Sequence, residues 1–190
     1  MSAFEHVILL LSFVYALALT HLLSGIAYLV RAGRRVRFSW FQAGWMLNAL
    51  LTIVANWIGF WDLRNVPTWG VGAILFWLAM AIANYLQAAL VCPEVPPHGP
   101  VDLIAFHAEQ GRRYIAAFVA SVMFALFANL VFGSAYSVAA WTEQNLVVIP
   151  MLLVSVAAMI FPMRYVQIFA LGSLACLWVV YFAELQRALH

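Results

Sequence analysis

The chain has 190 residues, a net charge of +2, 67% hydrophobic residues and 8% charged ones, where an ordinary soluble domain carries about 45–50% and about 25%. Nine arginines supply all the positive charge and there is no lysine, which excludes a retinal Schiff base, a lysine nucleophile and pyridoxal phosphate chemistry. Basic residues this few, spaced as membrane topology spaces them, exclude a nucleic-acid surface, and so apolar a chain needs lipid as the solvent of its outer faces.

Continuous apolar length predicts an all-α polytopic transmembrane helical bundle, a single domain of six spans near 4–30, 41–61, 69–91, 114–132, 146–161 and 165–183. Strands of alternating polarity are absent, and a backbone in hydrocarbon must satisfy its own hydrogen bonds, so helices are expected over a barrel.

The first span follows an uncharged Met1-Ser2-Ala3 and is stopped by Arg31, Arg34, Arg35 and Arg37, the pattern of a retained helix rather than a cleaved signal. At ~100° per residue, His6, Thr20 and Ser24 lie within about 40° of one face and His21 about 60° from His6. That stripe is expected to turn toward the bundle interior, with His21 near the midplane. Its imidazole reads in two ways: a proton-relay or substrate-binding group able to change charge near neutral pH, or a neutral hydrogen-bonded tie between helices.

The second span carries Asn48 and Asn56, and the third carries Asn84 and Gln87. Between the third and fourth lies the longest polar segment, 92–113. It opens on Pro93-Glu94-Val95-Pro96-Pro97-His98-Gly99-Pro100 and continues as a short interfacial helix from Val101, capped by Asp102. Leu103, Ile104 and Phe106 are expected to face the membrane, and His107, Glu109 and Gln110 water. Cys92, His98, His107 and Glu109 are zinc-type ligands, but their spacing fits none of the compact zinc patterns, so no metal site is assigned. Asn129 lies in the fourth span. The fifth is short, with Pro150 near its start and Pro162 at its end, so it is expected to tilt little or to be partly re-entrant. The sixth carries Gln167 and Cys176, and Glu184 follows it.

Arginine asymmetry sets the orientation. Arg31, Arg34, Arg35, Arg37, Arg112, Arg113 and Arg164 fall on one side and only Arg64 and Arg187 on the other, so both termini are expected outside, on the periplasmic side of a bacterial inner membrane. Aromatic residues agree: Tyr28, Trp40, Trp45, Tyr114 and Tyr165 fall at the inner interface, and Trp57, Trp61, Trp69, Tyr136, Trp141 and Tyr181 at the outer one. Three helices starting outside and three starting inside form halves of opposite topology, the arrangement of inverted repeats. Ser12-Phe13-Val14-Tyr15-Ala16-Leu17 matches Ser121-Val122-Met123-Phe124-Ala125-Leu126, and Leu86-Gln87-Ala88-Ala89-Leu90 matches Leu185-Gln186-Arg187-Ala188-Leu189. The two matches sit at different offsets, which favours chance over duplication.

Polar side chains in hydrocarbon require partners or roles. His21, Thr20, Ser24, Asn48, Asn84, Gln87 and Gln167 fall at comparable depth in the inner half, where they can form a transport lining or tie helices together. His6, Asn56, Asn129 and Glu184 form an outer polar set, while Glu5, Asp62 and Glu143 are expected among the headgroups. Bis-imidazole haem would need a His21 pair across a dimer axis, because His6 lies ~22 Å along the same helix; no cofactor is assigned. There is no nucleotide-binding glycine loop, paired-carboxylate face, HExxH or nucleophile elbow, and no catalytic residue or enzymatic activity is assigned.

Phe4-Glu5-His6, Ala18-Leu19-Thr20-His21-Leu22-Leu23, Val101-Asp102-Leu103 and Arg112-Arg113-Tyr114 resemble a group of uncharacterised small six-helix bacterial membrane proteins, a resemblance that covers most of the chain and implies no activity. More distantly, Leu11-Ser12-Phe13-Val14 leading into Ala16-Leu17-Ala18-Leu19-Thr20 is similar to six-helix potassium channels whose first helix bears an F-S-D motif. The aspartate is missing, and those channels keep their termini in the cytoplasm, opposite to the arginine pattern. The expected function is a small channel or carrier for an ion, proton or small solute, working as a homo-oligomer. The alternatives are an accessory or scaffold that binds a partner protein or lipid and, more remotely, a haem-binding redox subunit.

Overall fold

A computed structural model describes residues 3–65, 69–96, 98–133 and 137–188, with Tyr136 and His190 outside the described residues. The order is α1 (Ala3–Ala32), β1 (Val36–Arg37), α2 (Trp40–Gly59), α3 (Val71–Val91), β2 (Val101–Asp102), α4 (Leu103–Val131), α5 (Val138–Gln144), α6 (Val148–Ile160) and α7 (Arg164–Ala188), with a 3-10 turn over Phe60–Asn65 after α2. Among the described residues, four helices are long and apolar enough to cross a membrane (α1, α3, α4 and α7), and five if α5 and α6 form one bent span. The outward faces match that reading. Leu9, Phe13, Leu75, Met123, Phe127, Phe169 and Val179 are all more than half exposed, a surface suited to lipid and not to water.

α2 is only one residue shorter than α3 but falls short of the hydropathy of the other four, because it carries Gln42, Asn48, Asn56 and three tryptophans. Its position explains the composition: α2 packs on α1, α3, α4 and α7. Gln42, Trp45, Asn48, Thr52 and Ala55, spaced three or four residues apart, are all buried. Around it α1 packs chiefly on α3, α3 on α4, α4 on α6 and α6 on α7. α3 and α4 bury 44% of their most apolar stretch and α7 only 22%, so α7 lies at the periphery.

The fifth span departs from a straight rod. α6 has 13 residues, about 20 Å, and meets α5 at 72°. Pro150 is its third residue, where no intrahelical donor is needed, and Pro162 separates it from α7. The expected short interfacial helix is not separate: Leu103–Val131 is one helix of 29 residues. Asp102 is its cap as expected, accepting from the amides of Ile104 (2.9 Å) and Ala105 (3.1 Å). The Ala105 amide is the main cause that holds this carboxylate below its ordinary range, and Arg37 adds to it.

The arginine-rich connectors meet at one end. β1 pairs in parallel with β2, Val36 opposite Val101 and Arg37 opposite Asp102, and Arg37 Nη1 donates to Asp102 Oδ2 at 2.9 Å. Arg35 donates to the carbonyls of Pro96 and Gly99 at 3.4 Å. Arg112 and Arg113 lie beside Met159 and Ile160 at the end of α6, next to Arg164. At the opposite end the Arg64 guanidinium covers Trp61, 4.8 Å from the ring centre.

α1 comes close to the end of α3 at Gly25. A Cβ at Gly25 would stand 2.6 Å from Cys92 Sγ and 2.9 Å from its Cβ, and the thiol donates to the Leu22 carbonyl at 3.9 Å. Burial pushes the Cys92 thiol up to about 12, so it is a neutral packing group, while Cys176 is exposed on the apolar face of α7.

Candidate functional site

The polar stripe expected to line the interior of α1 points the other way. His6, Thr20, His21 and Ser24 are exposed, and the buried ladder is Val7, Leu11, Tyr15, Ala18 and Leu22. This ladder wins because its i+3/i+4 spacing is unbroken from Val7 to Leu22 and Ala18 within it lets α3 approach closely. The His21 ring lies edge-on to Tyr85, 6.1 Å between centres.

The other four members of the inner set are buried: Asn48, Asn84, Gln87 and Gln167 are at most 3% exposed. Asn48, Asn84 and Gln167 are tied to separate partners rather than to one another. Trp178 Nε1 donates to Asn48 Oδ1 at 2.8 Å, and Trp45 Nε1 to Gln167 Oε1 at 3.2 Å. Gln167 Nε2 donates to the Ala158 carbonyl at 2.8 Å, which joins α2, α7 and α6. Asn84 donates to the Tyr15 hydroxyl at 3.0 Å and to the Met80 carbonyl at 2.9 Å. Asn48 Nδ2, Asn84 Oδ1 and Gln87 Oε1 have no protein partner.

Trp45 and Tyr114, expected at the inner interface, are instead 1% exposed, whereas Tyr28, Trp40 and Tyr165 do face outward. Tyr114 is the centre of a chain that composition alone does not announce. Its hydroxyl donates to Gln42 Oε1 at 3.0 Å, so the His107 Nδ1 contact to the same oxygen is made by an Nδ1–H donor. Gln42 Nε2 in turn donates to the Val91 carbonyl. His107, expected to face water, is therefore half-buried between Phe41 and Tyr114, and Leu103, expected to face the membrane, is buried. Three helices, α4, α2 and α3, are joined by this chain near the arginine-rich end. The Tyr114→Phe variant leaves Gln42 Oε1 unpaired in the interior and should lose about 1–3 kcal/mol of unfolding stability, read by denaturant titration in nanodiscs. Unchanged stability would show that the chain holds nothing together.

A cavity lies at the other end. It has a volume of about 520 Å³ and lies among α2, α3, α4, α5, α6 and α7, within the usual size of small-molecule sites. Asn56 and Asn129, two members of the outer set, line it together with Gln144, while Trp77, Phe132 and Tyr181 give aromatic walls and Ala125 and Ala128 a small-residue side. His6 and Glu184, the other two, are exposed and apart from it. None of the lining side chains is charged. Asn56 gives its amide nitrogen to the Thr52 carbonyl at 2.9 Å, and Asn129 gives its own to Asn145 Oδ1 at 2.7 Å, which leaves both side-chain oxygens as acceptors. Asn145 is fully buried and donates to the Trp141 carbonyl at 2.7 Å. Trp77 Nε1 is a buried donor without a partner.

A smaller cavity of about 50 Å³ shares Ala55, Asn56, Ala125, Val148 and Tyr181 with the first and continues it along the bundle past Thr52 and Ser121 to Trp178. There the Trp178–Asn48 bond lies, with Phe118 packed edge-on against Trp45 at 6.2 Å beyond it. The arrangement is a vestibule, polar but uncharged, with a hydrogen-bonded tryptophan floor. Gln42, Trp77 and Trp178 were not foreseen as site residues. For Gln42 the signal was present in sequence, in the Gln42–Trp45–Asn48–Thr52–Asn56 stripe of α2; the tryptophans carry no such signal, because a membrane tryptophan reads first as an interfacial anchor.

Comparison of the chain with models of known protein families, with characterised proteins and with solved structures yields no match.

Proposed function

We propose that this is a transport-class membrane protein, a carrier that takes an uncharged, hydrogen-bonding small solute from the outer side of a bacterial inner membrane into the vestibule. The charge-free 520 Å³ cavity carries the reading. An ion stripped of water would need compensating charges or a full shell of oxygens. Two amide oxygens and aromatic walls instead suit a neutral molecule with a donor and an apolar part. The hydrogen-bonded tryptophan floor makes alternating access the fitting mode, rather than a standing pore.

In this reading α2 and the bent α5–α6 pair also cross, giving six passages. Both termini then lie on the outer side and the arginine-rich end faces the cytoplasm. The two halves are of opposite topology. Homo-oligomerisation is supported by α1, whose Thr20, His21 and Ser24 stand exposed in mid-helix, where lipid is a poor neighbour for them; a second copy would cover that face. The particle mass in nanodiscs should therefore be a multiple of 21.2 kDa, and a monomer mass would remove this part.

Swelling of proteoliposomes in small neutral solutes such as urea, glycerol and simple amides tests the carrier reading. A second reading, a non-transporting accessory protein, is favoured by the way Asn48 and Gln167 are tied to neighbouring helices. It predicts swelling no faster than in protein-free liposomes for every solute.

A further inference from the structure

At the arginine-rich end a second concavity, also about 520 Å³, opens on the surface between α4 and α6. Its upper rim is Arg112 and Arg113, and below them lie Ala116, Met159 and Ile160. Both arginines are exposed. Arg113 is held by a 2.8 Å bond to Gln110 Oε1, and Arg112 has no partner among the described residues. Arg164 begins α7 four residues after Ile160, and Glu109, also exposed, is the one acidic group within a turn of the arginine pair. Two guanidiniums therefore sit where the polar collar of α4 gives way to its apolar span, directly above a greasy groove.

We propose that this groove binds an anionic phospholipid. The phosphodiester would accept from Arg112 and Arg113, which match phosphate oxygens by their forked donors, and one acyl chain would lie along Ala116, Met159 and Ile160. Three features favour this occupant over others: charge complementarity, an amphipathic rim-to-floor gradient, and position at the end of the bundle where basic side chains meet headgroups. A soluble anion uses the rim alone and gains nothing from the floor, and a protein partner does not need its contact to run from guanidinium to hydrocarbon within a single groove. The inference is independent of what the vestibule carries.

The test is lipid retention by the purified full chain. Protein reconstituted in equal parts phosphatidylglycerol and phosphatidylcholine is delipidated stepwise, and bound lipid is counted by native mass spectrometry. Wild type should keep phosphatidylglycerol preferentially, and Arg112→Gln with Arg113→Gln should lower that preference roughly tenfold. Ala116→Trp, which fills the groove with both guanidiniums intact, should lower it comparably. Arg31→Gln with Arg34→Gln removes the same charge elsewhere and should leave it unchanged. An equal loss in the Arg31/Arg34 variant would show bulk attraction only and overturn the proposal. So would wild-type retention in Ala116→Trp, or displacement of the lipid by millimolar inorganic phosphate, which would mark an anion site with no use for the chain.

Discussion

Replacing Ala125 with tryptophan should abolish solute entry while leaving the protein folded. Ala125 lines both the larger cavity and its 50 Å³ continuation, so an indole there occupies the junction between vestibule and floor. It is only partly buried, and the new ring has the vestibule itself to enter, so the overpacking penalty of a filled core does not apply in full. Swelling rates for every transported solute should fall to those of protein-free liposomes. The thermal unfolding midpoint should stay the same or rise, because filling a cavity restores lost contacts. Asn56→Leu is the graded companion. It keeps the bulk of the wall and removes an amide oxygen placed as an acceptor, and should weaken apparent solute affinity by about 1 kcal/mol, roughly fivefold. Undiminished swelling in Ala125→Trp would mean that solute does not pass through this vestibule, and the transport reading would fall with it.

A stability loss as large as that of Tyr114→Phe is expected at Gly25. An alanine there would have its Cβ 2.6 Å from Cys92 Sγ and 2.9 Å from Cys92 Cβ, separations that real Cβ atoms do not occupy. Rotation about χ1 can move the Sγ, but the Cβ is fixed by the backbone and cannot step aside. Cys92 caps the C-terminus of α3 and has a side chain of one rotatable bond. The helices must therefore separate, along the contact where Ala18 and Leu22 are fully buried. In hydrocarbon, where helix association rests on close van der Waals packing, that separation should cost about 1–3 kcal/mol. The measurement is unfolding of Gly25→Ala in nanodiscs against the double variant with Cys92→Gly, which deletes both clashing atoms and should recover most of the loss. Cys92→Ala keeps the clashing Cβ and should recover less. If the double variant is no more stable than Gly25→Ala, the α1–α3 contact is not set by this pair.

Much of the bundle is legible from apolar length, since a run of some twenty apolar residues has few other destinations. α1, α3 and α7 begin and end within a few residues of the expected spans. The departures have separate causes. Arg112 and Arg113 set the start of the fourth span in sequence, but charge stops hydrocarbon and not helix: nothing between Leu103 and Val131 breaks the backbone ladder, and α4 runs straight through. The α1 stripe was misdirected because two tendencies compete in a membrane helix, polar groups seeking the interior and small or complementary groups seeking close packing. Val7, Leu11, Tyr15, Ala18 and Leu22 form the longer, better-spaced ladder. The vestibule was half legible. Asn56 and Asn129 signalled it individually, but their convergence depends on how α2 and α4 pack across the bundle, which no local pattern encodes.

The two-residue ladder between Val36–Arg37 and Val101–Asp102 gives the bundle unequal freedom. By clasping the α1–α2 turn to the segment that leads into α4, it binds the first four long helices into a frame at the arginine-rich end. α6 and α7 are left outside that clasp: α6 packs on α4, and α7 is tied to α2 by Gln167, which reaches between Trp45 and the Ala158 carbonyl, and by the Trp178–Asn48 bond. In the proposed carrier a swing of this last pair about its proline joint would expose the tryptophan floor from below, and such a stroke would have to release both of those side-chain ties and part of the α4–α6 packing.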